Sequence, residues 1–293
     1  MAEREYYSIR EGRKQNEVKF DLPLLLELFF PLYKDFEKKM YFSEAFGFGS
    51  SNSLSMWPLD NKFDQGIETY LLRKVYKKNL WPIEERYKSY SEDDLFDVIE
   101  FLYDCVSKPS RTTGGLRLMA FKEEYRFDRE VARHEFRTEI NKLLADYKDG
   151  YMLSEVGEVL VLPDSGLENL LEAQLPEYDP ENVEKRVNAA ILKFRRYRSS
   201  MEDRRDAVRD LADVLEFLKK KKKLKQVITK KDESDLFHIA NKFGIRHHNE
   251  EQKTDYDKRI WYSWMFYYYL ATIHASLRLI KKYEQNDKES ASD

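Results

Sequence analysis

The sequence predicts a mainly α protein: a four-helix bundle towards the C-terminus, preceded by a mostly helical domain that carries one short β-hairpin. Three observations predict it. Gly and Pro are scarce, 10 and 8 in 293 residues, while charged residues make up 36%; this balance favours long helices with solvated faces over a turn-rich all-β fold. Apolar residues recur at helical spacing in most segments, and the β-former texture is confined to Tyr151–Leu162. At 293 residues the chain suits about two domains of roughly 150 residues, and 42% hydrophobic residues are ample for a core.

In the N-terminal half, Met1 to Lys19 is a polar arm. Leu22 to Lys39 is a helix that Pro31 kinks or divides. Gly47 to Ser53 is a loop by composition. Phe63 to Asn79 is helical, with Ile67, Tyr70, Leu71 and Val75 near helical spacing, and Trp81-Pro82 breaks it. Ser91, with Asp94 three positions on, is an N-cap signal for a helix striped by Leu95, Val98, Ile99 and Leu102. Pro109 and the Thr112-Thr113-Gly114-Gly115 turn close that helix. Asp128 to Tyr147 is the next, with Phe136, Ile140, Leu143, Leu144 and Tyr147 on one face and Gly150 at its end. Tyr151 to Leu162 is the hairpin, turning near Glu155-Val156-Gly157. Pro163, Pro176 and Pro180 punctuate the next stretch, so the domain boundary falls between Pro163 and Pro180.

Four amphipathic helices lie beyond the boundary. The first, from about Glu181, places Val183, Val187, Ala190, Ile191 and Phe194 on one face. The second comes after Ser199-Ser200 and carries Val208, Leu211, Leu215 and Leu218. The third starts near Asp232-Glu233-Ser234, carries Leu236, Ile239, Ala240 and Phe243, and ends at Gly244. The fourth starts after Thr254-Asp255 and runs to about Lys282. Short connections between such helices make a four-helix bundle. In the last helix Trp261, Trp264, Met265, Phe266, Tyr267, Tyr268, Tyr269 and Leu270 leave no polar face. A helix apolar all round is covered on all sides, here by the N-terminal domain or by a second copy in a homodimer. The organisation is thus 1–40 arm and first helix, 41–165 N-terminal domain, 178–285 bundle and 286–293 polar tail.

Composition excludes several classes. One cysteine, Cys105, rules out an internal disulfide and fits a reducing compartment. Residues 1–20 lack an apolar stretch of the signal-peptide kind. The most apolar segment, Trp261 to Leu279, holds His274, Arg278, two serines and four tyrosines, a poor membrane span. The expectation is a soluble, cytoplasmic protein without membrane contact. There is no phosphate-binding loop, dinucleotide fingerprint, zinc-type Cys/His spacing or nucleophile elbow, so no metal and no cofactor is expected. Net charge is −3, but residues 181–231 hold 17 Lys/Arg against 8 Asp/Glu, densest at Lys219–Lys223. Such a run is either a solvated helix end or a contact for a phosphate backbone.

The remaining constellation is Arg246-His247-His248-Asn249, just past a helix end and without hydrophobic duty. These side chains either cap that helix, whose C-terminus favours cations, or handle phosphate. Arginine grips phosphate bidentately, and a histidine titrating near neutrality takes or gives a proton. That suffices for metal-independent RNA cleavage, in which a base deprotonates the 2′-hydroxyl, the oxygen attacks phosphorus and arginine stabilises the phosphorane. Arg246, His247 and His248 are the catalytic candidates. Asp206, Asp210, Asp213 and Glu216 lie off the apolar stripe of the second bundle helix; as a group they are a solvated face, and Asp213 is the preferred acidic partner. Asn249, Arg204, Arg205, Lys219 and Lys220 are candidates for binding RNA, with Arg195, Arg196 and Arg198 flanking the same turn. Arg129 and His134 have four residues between them inside a helix, a spacing that arises easily by chance. His238 and His274 lie within helices, where structural roles are commoner.

The run from Asp232 to Asn249, containing Ile245-Arg246-His247-His248-Asn249, then Gln252 to Asp257 and the aromatic helix, resembles the C-terminal helical domain of bacterial HEPN proteins. More narrowly it is similar to the abortive-infection AbiJ-like group, whose N-terminal domain is resembled by Phe127-Asp128-Arg129-Glu130 and the Gly150-Tyr151 hairpin. The resemblance covers residues 40 to 285. It implies a HEPN-like bundle that dimerises, endoribonuclease activity in many members, binding of nucleic acid or partners without cleavage in others, and roles in phage defence or as toxins. The family pattern is an Arg, four to six residues, then a His. Here His247 and His248 come directly after Arg246, and positions 251 to 253 are Glu251, Gln252 and Lys253.

Overall fold

A computed structural model describes residues 7, 20–47, 63, 66–111, 125–163, 166–245 and 255–290. The chain is mainly helical, with two small antiparallel strand pairs among the described residues. It divides into two compact units, residues 1–162 and 163–293.

The first unit begins with α1 (Leu22–Lys38), capped by Asp21, whose carboxylate accepts the Leu24 N–H at 3.0 Å. Pro31 lies inside this helix without dividing it. After α2 (Ser43–Phe46), the expected helix over Phe63–Asn79 is shorter, α3 (Ile67–Val75), ending in left-handed backbone at Tyr76. The single turn α4 (Ile83–Arg86) leads to α5 (Glu92–Cys105). There Ser91 and Asp94 form a reciprocal capping box, satisfying two backbone donors that the helix start leaves open. Pro109, expected to help close α5, lies in a strand: β1 (Lys108–Arg111) pairs antiparallel with β2 (Tyr125–Asp128), Lys108 opposite Asp128, and the turn expected at 112–115 lies outside the described residues. Asp128 then caps α6 (Arg129–Ala145). The hairpin forms as expected, β3 (Tyr151–Leu153) against β4 (Val159–Val161). Asn141 of α6 holds it by exchanging both hydrogen bonds with the Leu153 backbone. The core gathers Phe29, Tyr33, Leu95, Leu102, Phe136 and Leu144, all nearly inaccessible; Phe136 meets Phe36 edge-on at 5.2 Å.

The second unit opens with the short helix α7 (Glu168–Glu172). A π-turn over Pro180–Glu184, capped by Asp179, runs into α8 (Lys185–Arg195). Next come α9 (Met201–Lys220), with a Ser200/Asp203 capping box, and the single turn α10 (Leu224–Val227). The next helix starts earlier than its acidic residues suggest: α11 (Lys230–Lys242) is capped by Thr229, and Asp232 completes the box. The last helix, α12 (Lys258–Ser290), runs on past Lys282, through most of the expected polar tail. The most buried face of α9, including Val208, Leu211, Leu215 and Leu218, packs with Met265, Phe266, Leu270 and Ile273 of α12. Burying each such side chain stabilises by about 1.5–3 kcal/mol. Phe194 stacks on Phe266 at 4.0 Å, and the Tyr269 hydroxyl donates to the Leu236 carbonyl. Within the single chain, Trp261 and Trp264 of the aromatic helix remain 38% and 43% exposed.

Candidate functional site

Arg246, His247, His248 and Asn249 lie outside the described residues. The chain on either side of them is described. After Gly244, whose φ of +67° is a conformation glycine adopts without steric cost, Ile245 is buried and its N–H donates to the Ala240 carbonyl at 2.9 Å. On the far side, the Tyr256 hydroxyl donates to the Phe243 carbonyl at 2.9 Å and its ring meets Phe243 edge-on at 5.1 Å. Asp257 caps the start of α12 through the Ile260 N–H. The described residues on either side of 246–254, Phe243 and Tyr256, therefore meet at the end of α11. Burial pushes the Tyr256 phenol far above its ordinary pKa; the neighbouring Tyr262 adds to the rise and the Arg205 guanidinium opposes it. Arg205 of α9 thus lies within electrostatic reach of the anchor from which the Arg-His-His-Asn run departs.

Around Arg205, α9 carries a charged row. Arg205 and Arg209 both approach Asp206, at 3.5 and 3.1 Å. The Arg204 guanidinium lies over the Phe194 ring, 5.2 Å from its centre, and Asp210 pairs with Lys193 of α8. Asp213 is half-buried on the face that bears Arg205 and Arg209. At 1.5 Å rise per residue it is roughly 12 Å along the helix from Arg205. Lys219 sits roughly 21 Å from Arg205 by the same rise. It pairs with Glu233 of α11 at 2.9 Å and its ammonium lies over the Phe237 ring. Lys220 is exposed. The fold thus brings Arg205 within electrostatic reach of Tyr256, sets Arg204 on Phe194, and leaves Asp213, Lys219 and Lys220 strung along α9. A carboxylate beside the anchor already exists in Asp206, nearer to Arg205 than the preferred Asp213.

The remaining histidines take separate places. His238 is exposed on α11, and His274 is buried on α12. Arg129 and His134 do not converge: Arg129 makes a bidentate pair with Glu44, at 3.0 and 3.1 Å, and His134 is exposed. Among the described residues no three His, Cys, Asp or Glu side chains converge in a way that could hold a metal ion. Among them, too, no helix is long and apolar enough to cross a membrane.

The first unit contains a concave site that the sequence does not indicate, a pocket of about 180 Å³. Phe63, Tyr70 and Phe101 line its apolar side, with ring centres 5.0–6.0 Å apart. Two charge pairs, Glu44 with Arg129 and Asp104 with Arg133, line its polar side. These residues come from α2, α3, α5 and α6 and from Phe63 between them, so no local motif announces the pocket. The only signal in the sequence is that Asp104 and Arg133 lie on the polar faces of two helices whose opposite faces are apolar.

The chain matches no family model, no curated protein and no solved structure.

Proposed function

We propose that the protein is a HEPN-type endoribonuclease of the abortive-infection AbiJ-like kind, acting in bacterial defence or as a toxin, with the second unit as a HEPN-like bundle that works as a homodimer. The observation that supports this reading is that the described residues on either side of 246–254 meet at the end of α11: Tyr256 is held to Phe243 and lies within electrostatic reach of Arg205 of α9. In this reading Arg204, Arg205 and Arg209 draw RNA phosphates, and Arg246, His247 and His248 act on them. A neutral histidine takes the 2′-hydroxyl proton, the 2′-oxygen bonds to phosphorus, and the bond to the 5′-oxygen breaks. The departing 5′-oxygen takes a proton from a second acid, and Arg246 stabilises the charge on the phosphorane. The products are a 2′,3′-cyclic phosphate and a 5′-hydroxyl, formed without a metal ion.

A non-catalytic module of the same fold, binding nucleic acid or a protein partner, is the second reading. One observation favours it: Arg204 packs on Phe194 and Lys219 pairs with Glu233, so part of the basic surface serves the fold itself.

The test is incubation of the full chain with total and transfer RNA in EDTA, beside Arg246→Ala and a His247→Ala/His248→Ala double variant. Cleavage leaving 2′,3′-cyclic phosphate ends is expected in the wild type, with a loss of at least about a hundredfold in each variant. Cleavage that persists unchanged in both variants removes the proposed site. Salt-sensitive RNA retention without cleavage supports the second reading.

A further inference from the structure

We infer that the pocket of the first unit is a guanine-base site, filled by a guanine nucleotide or by an unstacked guanine of a single-stranded RNA. The inference rests on the pocket alone and stands whether or not the second unit cleaves RNA. Its volume, about 180 Å³, is below the roughly 300–1,000 Å³ of sites for drug-sized ligands, so it admits a single planar ring system. Phe63 and Phe101 are each 7% exposed, and Tyr70 is half-buried beside them. Phe63 and Phe101 close the apolar wall, and the half-buried Tyr70 supplies the ring on which an unstacked base is held.

The polar side supplies the specificity. Arg129 is closed off by its two hydrogen bonds to Glu44, so that pair is a wall. Asp104 and Arg133 differ. Their closest approach is 3.8 Å, too long for a hydrogen bond, so both keep capacity for a ligand. The Arg133 guanidinium is held over the Tyr103 ring at 5.0 Å, which fixes its direction. A carboxylate beside a guanidinium presents acceptor, acceptor and donor in a row. Guanine presents the matching edge: N2–H and N1–H donate to the two Asp104 oxygens, and O6 accepts from Arg133. Adenine and uracil each offer one donor on this edge. Cytosine offers only its exocyclic amine, so one carboxylate oxygen is left unmatched.

Calorimetric titration of the full chain with GMP, AMP, CMP and UMP, and with a uridine hexamer carrying one central guanosine, tests the assignment. The expected result is that guanine forms bind at least about tenfold more tightly than the other bases. Binding of the hexamer without GMP identifies the strand as the source, and binding of GMP as tight as the hexamer identifies the free nucleotide. Asp104→Asn removes one acceptor while keeping the shape of a side chain that is 69% exposed. It is expected to erase the preference for guanine with the thermal midpoint unchanged. Tyr70→Ala is expected to weaken all ligands alike. The inference is overturned if neither GMP nor the hexamer binds below millimolar, if the other bases bind as well as guanine, or if Asp104→Asn binds as the wild type does.

Discussion

Gly157 has no side chain because the Tyr103 ring occupies the space one would need. A Cβ there would sit 2.5 Å from the ring, and the backbone φ of +86° is one that other residues rarely adopt. The same ring fixes the hairpin from its other end, its hydroxyl donating to the Glu155 carbonyl at 2.6 Å. Gly157→Ala is therefore expected to destabilise the first unit by about 2 kcal/mol or more, from backbone strain and overpacking together, as a lowered midpoint in urea. A second residue with a definite consequence is His274. It is 5% exposed, Nδ1 has no hydrogen-bond partner among the described residues, and burial, then Arg278, holds its pKa below the ordinary 6.5. The folded state thus favours the neutral imidazole, and the unfolded chain binds the proton more readily. Stability present above pH 6.5 is lost as the pH falls towards the lowered folded value. Urea midpoints measured from pH 7.5 to 5 are expected to slope downwards, and His274→Leu is expected to flatten part of that slope. An identical slope in the variant would assign the acid loss to other groups.

At the scale of elements, caps are the most legible features. Ser91 with Asp94 announces α5, because a side-chain acceptor three residues from a carboxylate is a purely local device. The start of α11 shows where the same logic fails. Asp232-Glu233-Ser234 has the composition of a cap, yet Thr229 fills that role and Asp232 is its partner inside the first turn. Thr229→Ala is expected to cost about 1 kcal/mol and to fray α11 at Lys230, visible as faster amide exchange there. The strand β1 is not legible at all. Lys-Pro-Ser-Arg has neither alternation nor β-formers, and it is a strand only because Tyr125–Asp128 pairs with it from a distance in sequence. The site divides likewise. The mixed row of arginines and acids on α9 can be read along the chain, but the proximity of Arg205 to Tyr256 depends on how α9 and α12 pack, and the pocket on residues spread from Glu44 to Arg133.

At the scale of the whole molecule, the proposed homodimer rests on the aromatic helix. Ile260, Trp261, Trp264, Tyr268, Ala271, Ala275 and Leu279 fall on one side of α12, and residues 260–277 contain no Asp, Glu, Lys or Arg. Ile260 is 65% exposed and Leu279 39%, and Trp264 stacks on Tyr268 at 5.4 Å, so the row is ordered by its own contacts and still open. It extends over roughly 28 Å at 1.5 Å per residue, a contiguous apolar surface of the kind that monomers rarely leave in water. The proposed homodimer sets a second copy of the same helix on it, because an isologous interface pairs one patch with itself under two-fold symmetry. Sedimentation equilibrium at micromolar concentration is expected to give a dimer, and Trp261→Glu/Trp264→Glu a monomer of unchanged helicity. Burial of apolar area carries little salt dependence, whereas neutralised phosphates make RNA binding fall steeply with salt. Raising the salt is therefore expected to strip RNA from the protein while the dimer persists. A wild-type monomer under these conditions removes the proposed homodimer.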